Sequence, residues 1–185
     1  MFPGYQNASG KIVGKLRTAP DAKVNVAAGW PSLLEAMAAA QINTPERVAA
    51  FLTTLCFESW CEYNAVDGTY GTRTYAGRGF IQLTGKVLGD GQVMNYGPAG
   101  RYFGIDLIGQ PDLALSLEWS ARIATWYWTV ARNCNEYADR RAMGKVNGAI
   151  GYPLSGSNDS DRCMVFGHVL KYLTGVEPTG ITCMR

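Results

Sequence analysis

The 185-residue sequence has no long apolar run, little charge imbalance and a single histidine. No apolar stretch approaches the roughly 18 residues of a membrane span, so we expect no transmembrane helix and no membrane partner. With 17 basic and 15 acidic residues the net charge is only +2. Nucleic-acid-binding proteins usually carry a clear basic excess, so nucleic acid is not an expected partner. The polar start, Met1–Gly10, does not resemble a signal peptide.

The five cysteines follow no metal-binding pattern. Their spacings match neither a zinc ribbon nor a CxxC motif, and His168 is the only histidine, so we expect no metal ligands and no cofactor. An odd number leaves at least one thiol free or paired elsewhere. The others are either buried as small apolar side chains or joined in one or two disulfides, and the redox compartment decides between these alternatives.

Helical patterns flank one long glycine-rich segment. Residues 1–30 are predicted to form an irregular lead or short strands, and residues 176–185 a frayed tail or the start of a linker. Thr44 is a good N-cap and Pro45 a good first residue for the helix predicted over 45–60. Further helices are predicted from Pro31, from Pro111 to about Asn133, over about 140–146, and from Ser157 or Asn158 to Gly175.

The glycine-rich segment, 61–100, is longer than the usual connection between two secondary-structure elements, and such long loops are usually functional. Within it, Phe80–Leu83 is predicted to be a short strand or the first turn of a helix. In a strand, Gln82 and Thr84 would face the same side and could hold a sugar hydroxyl or a water. The helical spacing of Trp119 and Trp126–Trp128 is typical of core residues. Sugar contact is expected instead from Trp60, Tyr63, Tyr70 and Tyr75.

Three carboxylates lie close together in the sequence around the start of this segment. Glu58 ends a strongly apolar helix, so we expect partial desolvation, which favours the protonated form that a general acid needs. An exposed helix-end glutamate is the ordinary alternative. Glu62 and Asp67 follow, and inverting glycosidases use two carboxyl groups about 6.5–9.5 Å apart.

The segment Tyr75–Gly85, YAGRGFIQLTG, resembles the signature of glycoside hydrolase family 19, the chitinases and related phage lysozymes. The resemblance covers about residues 33–173. It is greatest for the phage endolysin branch, and the sequence is similar to the catalytic domain of mycobacteriophage-type lysins. The other motifs follow in the family's order: Ile42–Pro45, Glu58-Ser59, Asn95–Arg101, Gly104–Leu107, Gln110–Ala114, Ala124–Trp128, Val146–Gly148 and Arg162.

The resemblance implies an α+β, mainly α-helical, lysozyme-like fold with two lobes and a central cleft, formed by residues 31–175. It makes Glu58 the general acid, Asp67 the base and Thr84 the residue that holds the attacking water. Two positions depart from the family pattern: Phe57 replaces a histidine, and Asp67 replaces a glutamate. Glu62 is a rival for the base. The resemblance implies that the remaining matched residues bind sugar or support the acid pair. These residues are Gln82, Asn95, Tyr96, Asn147 and Arg162.

The expected function is therefore that of an endolysin-type glycosidase, which hydrolyses β-1,4 bonds between N-acetylated amino sugars of bacterial peptidoglycan. A chitinase, a lytic transglycosylase and a non-catalytic carbohydrate-binding protein are the alternatives. The expected partner is the polysaccharide alone, bound by a monomer or by one domain of a modular lysin. Without a signal peptide, the protein would be made in the host cytoplasm and reach the wall after release.

Overall fold

The computed structural model describes residues 5–13, 21–151 and 156–185, with the backbone alone for 156–158. A small antiparallel hairpin joins β1 (Tyr5–Gln6) to β2 (Ile12–Val13), with Tyr5 opposite Val13. The rest is helical, so the predicted α+β, mainly α-helical class is confirmed. In chain order the helices are α1 (Ala22–Ala39), α2 (Pro45–Ser59), α3 (Tyr96–Phe103), a 3-10 helix (Pro111–Leu115), α4 (Ser120–Trp126), a π-helix (Tyr127–Ala131), α5 (Cys134–Asp139), α6 (Met143–Ala149) and α7 (Gly156–Thr174).

Helix α2 is the central element, and it begins and ends close to the predicted residues. The Thr44 hydroxyl accepts a hydrogen bond from the Arg47 N–H at 3.3 Å, and Pro45 occupies the first turn. Its middle, residues 49–56, is buried throughout, and its most extensive packing is against α7. The helix stops at Ser59 because Trp60 adopts the left-handed conformation, with φ of 53°.

Helix α1 begins earlier than predicted. It starts at Ala22 and continues through Pro31, so the prediction of a helix start at Pro31 is wrong and the lead is shorter than 1–30. The short strands expected in the lead are present. The first half of α1 packs through Ala22 and Gly29, which are both buried. Contact through such small side chains leaves no strong apolar periodicity for the sequence to show.

The predicted helix from Pro111 to Asn133 is divided into three. Ser116 is extended, and its hydroxyl accepts from the Trp119 N–H at 3.1 Å, which separates the 3-10 helix from α4. After the π-helix, Asn133 is left-handed, with φ of 49°. The helix predicted over about 140–146 is present as α6 but begins three residues later, at Met143, because Arg141 is left-handed and divides α5 from α6. As predicted, Trp126, Tyr127 and Trp128 are buried.

The C-terminal residues are docked on the domain, which corrects the prediction of a frayed tail. Disulfides join Cys56 to Cys61 and Cys163 to Cys183, and Cys134 is a buried free thiol. The Gly144 N–H donates to the Thr182 carbonyl at 3.1 Å, and the Arg185 guanidinium pairs with Asp159 at 3.1 Å. The second disulfide holds the tail against α7.

Helix α7 ends as predicted, with Gly175 left-handed at φ of 73°. The side chains of Ser157 and Asn158, predicted as its N-cap, lie outside the described residues. In the ranges given above, no helix is both long and apolar enough to cross a membrane.

Candidate active site

Glu58 lies in the last turn of α2, and α7 supplies its partner. The Arg162 Nη2 donates to the Glu58 Oε1 at 2.6 Å, although the two residues are 104 positions apart in the chain. The Arg162 side chain is fully buried, and its guanidinium lies 5.2 Å from the centre of the Phe57 ring. Glu58 itself keeps 20% of its side chain exposed. The packing of α2 against α7 therefore fixes a half-buried carboxyl group that solvent or substrate can reach.

A cavity of about 460 Å³ opens beside this carboxyl group. Four of the predicted site residues line it, although they come from three separate parts of the chain. They are Glu58, Gln82, Thr84 and Asn95. The cavity is completed by the residues Arg73, Ile81, Gly85, Lys86, Met94, Tyr127, Arg132, Ile150 and Gly151.

Gln82 reaches the cavity from a tight turn, which corrects the prediction of a strand or a helical turn. Arg78 and Leu83 exchange backbone hydrogen bonds of 3.2 and 2.9 Å, and Gln82 is left-handed with φ of 51°. The Gln82 Nε2 donates to the carbonyls of Ala65 and Gly79, at 3.0 and 3.1 Å. The turn is thus held by its own side chain, and its amide oxygen is left for other contacts.

Thr84 and Asn95 form a connected wall of the cavity. The Asn95 Nδ2 donates to the Thr84 carbonyl at 2.8 Å, and its Oδ1 accepts from the Arg132 Nη2 at 3.4 Å. The exposed Thr84 hydroxyl donates to the Gln82 carbonyl at 2.9 Å. A hydroxyl that donates in this way keeps its lone pairs as acceptors, so it can receive a proton donor such as water.

Asp67 lies next to the cavity wall but does not line the cavity. Its Oδ1 accepts from the N–H and hydroxyl of Thr69, and its Oδ2 accepts from the Gly77 N–H at 2.7 Å. Burial by itself would raise the pKa of Asp67, but these hydrogen bonds and the charge of Arg73 together lower it below its usual value. Asp67 is therefore ionised at neutral pH, as a base must be.

Gly77 separates Asp67 from Gln82. A Cβ atom at this position would lie 2.9 Å from both the Asp67 Oδ2 and the Gln82 Oε1. The Asp67 Oδ2 and the Gln82 Oε1 thus both lie close to Gly77. Because the Gln82 side chain lines the cavity, Asp67 adjoins the cavity by its proximity to Gln82. Glycine is needed here because a larger residue would push the two apart.

Glu62, the rival base, is placed differently. Helix α2 ends before it, so it does not continue the face that carries Glu58. Its side chain is only 2% exposed, and its Oε2 accepts from the Asn25 Nδ2 of α1 at 2.8 Å. Glu62 is not among the described residues that line the cavity.

Two further predicted residues are buried and are not among the described residues that line the cavity. The Tyr96 hydroxyl donates to the Ala76 carbonyl at 2.9 Å and accepts from the Arg78 Nη1 at 3.2 Å, and burial raises the pKa of Tyr96 to about 12. Arg78 in turn pairs with Asp112 at 2.8 Å. Tyr96 therefore supports the signature segment from beneath. Asn147 is fully buried on α6, and its amide has no hydrogen-bond partner among the described residues.

Comparison with known proteins places this geometry in a family. The family model for glycoside hydrolase family 19, described as class I chitinases, matches residues 54–176, which include all of the predicted site residues. An endochitinase of Solanum tuberosum is 31% identical over 114 residues, or 61% of this chain and 30% of that protein. A family 19 domain-containing protein of Haemophilus influenzae is 35% identical over 92 residues, covering 50% and 39% of the two chains. Chitinase 6 of Oryza sativa subsp. japonica is 28% identical over 158 residues, covering 76% and 53%.

The chain belongs to glycoside hydrolase family 19. This membership accords with the lysozyme-like, mainly helical fold that the sequence motifs indicate. The matched regions span only about a third to a half of these relatives.

Several residues of this family 19 cavity carry no signal in the sequence. Arg73, Lys86 and Arg132 belong to no motif, yet all three line it. Tyr127, interpreted as core, is buried but also lines the cavity, with the Arg132 guanidinium 4.6 Å from its ring centre. It opens the π-helix, an irregularity that often marks functional sites and that no local pattern predicts. Within the described ranges, no three His, Cys, Asp or Glu side chains converge as metal ligands would.

Proposed function

We propose that this domain hydrolyses β-1,4 bonds between the N-acetylated amino sugars of bacterial peptidoglycan, with inversion of configuration. Glu58 gives its proton to the glycosidic oxygen as the bond to the anomeric carbon breaks. Asp67 takes a proton from the water that attacks this carbon from the opposite face, and Thr84 orients that water. The observation that carries the proposal is the convergence of Glu58, Gln82, Thr84 and Asn95 on one cavity.

The two carboxyl groups of the proposed step are held in different ways. Arg162 fixes one Glu58 oxygen without removing the group from the cavity, because part of the side chain stays exposed. Asp67 is held ionised by Thr69 and Gly77, so it begins the cycle as a base. After the reaction Glu58 is ionised and Asp67 is protonated, and exchange with solvent restores both.

The similar proteins and the sequence motifs point to different substrates. The similar proteins are named as chitinases, which supports a polymer of N-acetylated amino sugars in general. The nine-residue step from Glu58 to Asp67 and the Ile42–Pro45 motif resemble the compact phage branch, which supports peptidoglycan. Chitin is the alternative on the same scaffold.

A lytic transglycosylase is a second candidate, and one observation favours it. Glu58 is the one carboxylate among the described residues that line the cavity, since Asp67 only adjoins it. A transglycosylase needs a single carboxyl group and uses a sugar hydroxyl in place of water, so its products end in anhydro sugars.

The decisive experiment is product analysis of the wild type and two variants on purified peptidoglycan and on chitohexaose. Replacing a general acid or base typically costs about 10²–10⁴-fold in rate, so we expect losses in this range for Glu58→Gln and for Asp67→Asn. The exposed Glu118→Gln, outside this cavity, is the matched control and should keep wild-type rates. New reducing ends measure hydrolysis, and mass spectrometry detects anhydro ends.

The outcomes separate the alternatives. Anhydro products together with an active Asp67→Asn variant would establish the transglycosylase and remove Asp67 from the mechanism. Faster cleavage of chitohexaose than of peptidoglycan would make the protein a chitinase. If the wild type binds both polymers and cleaves neither, it is a carbohydrate-binding protein on this scaffold.

We also propose that the domain works outside the cytoplasm, as a monomer or as one unit of a modular lysin. The two disulfides support this, because such bonds persist mainly in oxidising compartments. Titration of free thiols in protein recovered from the wall fraction and from the cytoplasm tests the location. A single reactive thiol after denaturation is expected in the wall fraction, and five thiols there would contradict it. Light scattering during gel filtration tests the monomer.

A further inference from the structure

The cavity beside Glu58 carries more positive than negative charge. Among its described lining residues are three cations, Arg73, Lys86 and Arg132, and one carboxylate, Glu58. Glu58 is already paired with the buried Arg162. A ligand that enters the cavity therefore meets more cationic than anionic side chains in its lining.

The three cations are not equivalent. Arg132 is engaged, since it donates to the Asn95 Oδ1 at 3.4 Å and lies over the Tyr127 ring at 4.6 Å. Arg73 and Lys86 are exposed, and neither side chain makes a hydrogen bond or an ion pair with any described residue. Arg73 acts within the protein only through its charge, which lowers the pKa of Asp67 together with the closer hydrogen bonds.

Arg73 also borders a second and larger space. An open recess of about 780 Å³ lies beyond it, formed by the loop around Tyr70 and by the segment that starts the 3-10 helix. Its other charged residues, Arg78 and Asp112, pair with each other at 2.8 Å. Arg73 is the one described residue that lines both spaces, and its guanidinium forms no ion pair with a described residue.

We propose that Arg73 binds a carboxylate carried on a substituent of the sugar chain, and that the recess beyond it receives this substituent. This inference rests on the proposed function, and it identifies the carboxylate as the feature of the substrate that Arg73 recognises. Chitin carries no carboxylate, whereas alternate sugars of peptidoglycan carry a lactyl ether extended by a peptide with free carboxylates. A guanidinium matches a carboxylate with two parallel hydrogen bonds, while a neutral ligand would desolvate Arg73 without compensation.

The test compares three substrates that differ in the carboxylate. They are peptidoglycan fragments with stem peptides, the same fragments after an amidase has removed the peptides and left the lactyl carboxylate, and chitohexaose. We expect Arg73→Gln to lower the ratio of kcat/KM for peptide-bearing fragments over kcat/KM for chitohexaose by about fivefold, as for a partly exposed ion pair. Arg73→Lys should restore part of the ratio, because it keeps the charge but not the two-pronged geometry. The exposed Arg101→Gln, which lines neither space, is the matched control.

The ratio is the decisive quantity because Arg73 also influences Asp67. An effect through the base would lower the rates on all three substrates equally and leave the ratio unchanged, and that result would overturn the proposal. A selective loss on peptide-bearing fragments alone assigns the carboxylate to the peptide. A selective loss on the amidase-treated fragments alone assigns it to the lactyl group, whose carboxylate is free only after the peptide is removed, and a loss on both kinds of fragment shows that Arg73 binds either carboxylate.

Binding separates this inference from the proposed function. Calorimetry with the Glu58→Gln variant measures affinity for the same fragments without turnover. If the wild type fails to cleave peptidoglycan but the Arg73→Gln change still weakens binding of the carboxylate-bearing fragments, the proposed function fails and the inference stands. Equal affinities with and without Arg73 would refute the inference whatever the catalytic result.

Discussion

Gly77→Ala is the sharpest perturbation of the proposed acid and base pair, because it changes neither carboxylate. The new Cβ atom would lie 2.9 Å from the Asp67 Oδ2 and 2.9 Å from the Gln82 Oε1. Ordinary contacts begin near 3.4 Å, so each oxygen must move by about 0.5 Å. The movement also strains the 2.7 Å hydrogen bond from the Gly77 N–H to Asp67.

The size of the effect follows from these contacts. Overpacking a well-filled site costs about 1–3 kcal/mol, and a hydrogen bond to a charged group contributes a similar amount. At about 2 kcal/mol, the Tm of a chain of this size falls by about 4–8 °C. A misplacement of about 1 Å can cost a hundredfold in rate, so a shift half as large should lower kcat by about tenfold.

The assay measures kcat on soluble peptidoglycan fragments and Tm by calorimetry. Gly68→Ala is the control, because it lies in the same loop, has nothing within 4 Å of the added Cβ atom and has no left-handed φ. This control should keep wild-type kcat and Tm. If the Gly77→Ala variant kept wild-type kcat while its Tm fell, Asp67 would not be the base that acts from its position beside Gly77.

Two other predictions concern stability. Replacing both Cys163 and Cys183 by serine should lower stability by about 3 kcal/mol, because a cross-link that closes a loop of this size restricts the unfolded chain, and a Tm unchanged by calorimetry would contradict it. Tyr96 keeps its proton up to about pH 12 in the folded state but loses it near pH 10 when unfolded, so its contribution is complete below pH 10 and is lost as the pH rises towards 12. Urea unfolding at pH 9 and 11 should therefore show a steeper loss in the wild type than in Tyr96→Phe, and equal losses would show that burial does not perturb this phenol.

Local signals were sufficient where the chain follows ordinary helix rules. Thr44 and Pro45 mark the start of α2, and Gly175 marks the end of α7, so both helices lie close to their predicted bounds. The motifs were also sufficient to identify the family, because they preserve residue types in order. The last of these motifs predicts that Arg162 binds sugar or supports the acid pair, and the structure pairs it with Glu58.

Other features depend on contacts between distant parts of the chain. The start of α1 was missed because buried small residues hold it, and the helix continues through Pro31. The turn at Gln82 contains a left-handed residue, and at Gly79 in the same turn a Cβ atom would clash with the Ala114 carbonyl, a contact between segments that no local pattern predicts. The docking of the tail depends on a disulfide that spacing alone did not reveal.

The sequence by itself determined the family, the mainly helical fold and the position of Glu58 at the end of α2, because capping residues, apolar spacing and ordered motifs are local patterns. Only the tertiary structure decided which carboxylates reach the cavity. Glu62 and Asp67 are both acidic residues shortly after Glu58, but Asn25 of α1 holds one in the interior and Gly77 holds the other at the cavity wall. Hydrogen bonds from distant backbone and side chains determine these positions, and the same fold places Arg73, which belongs to no motif, between the cavity and the larger recess.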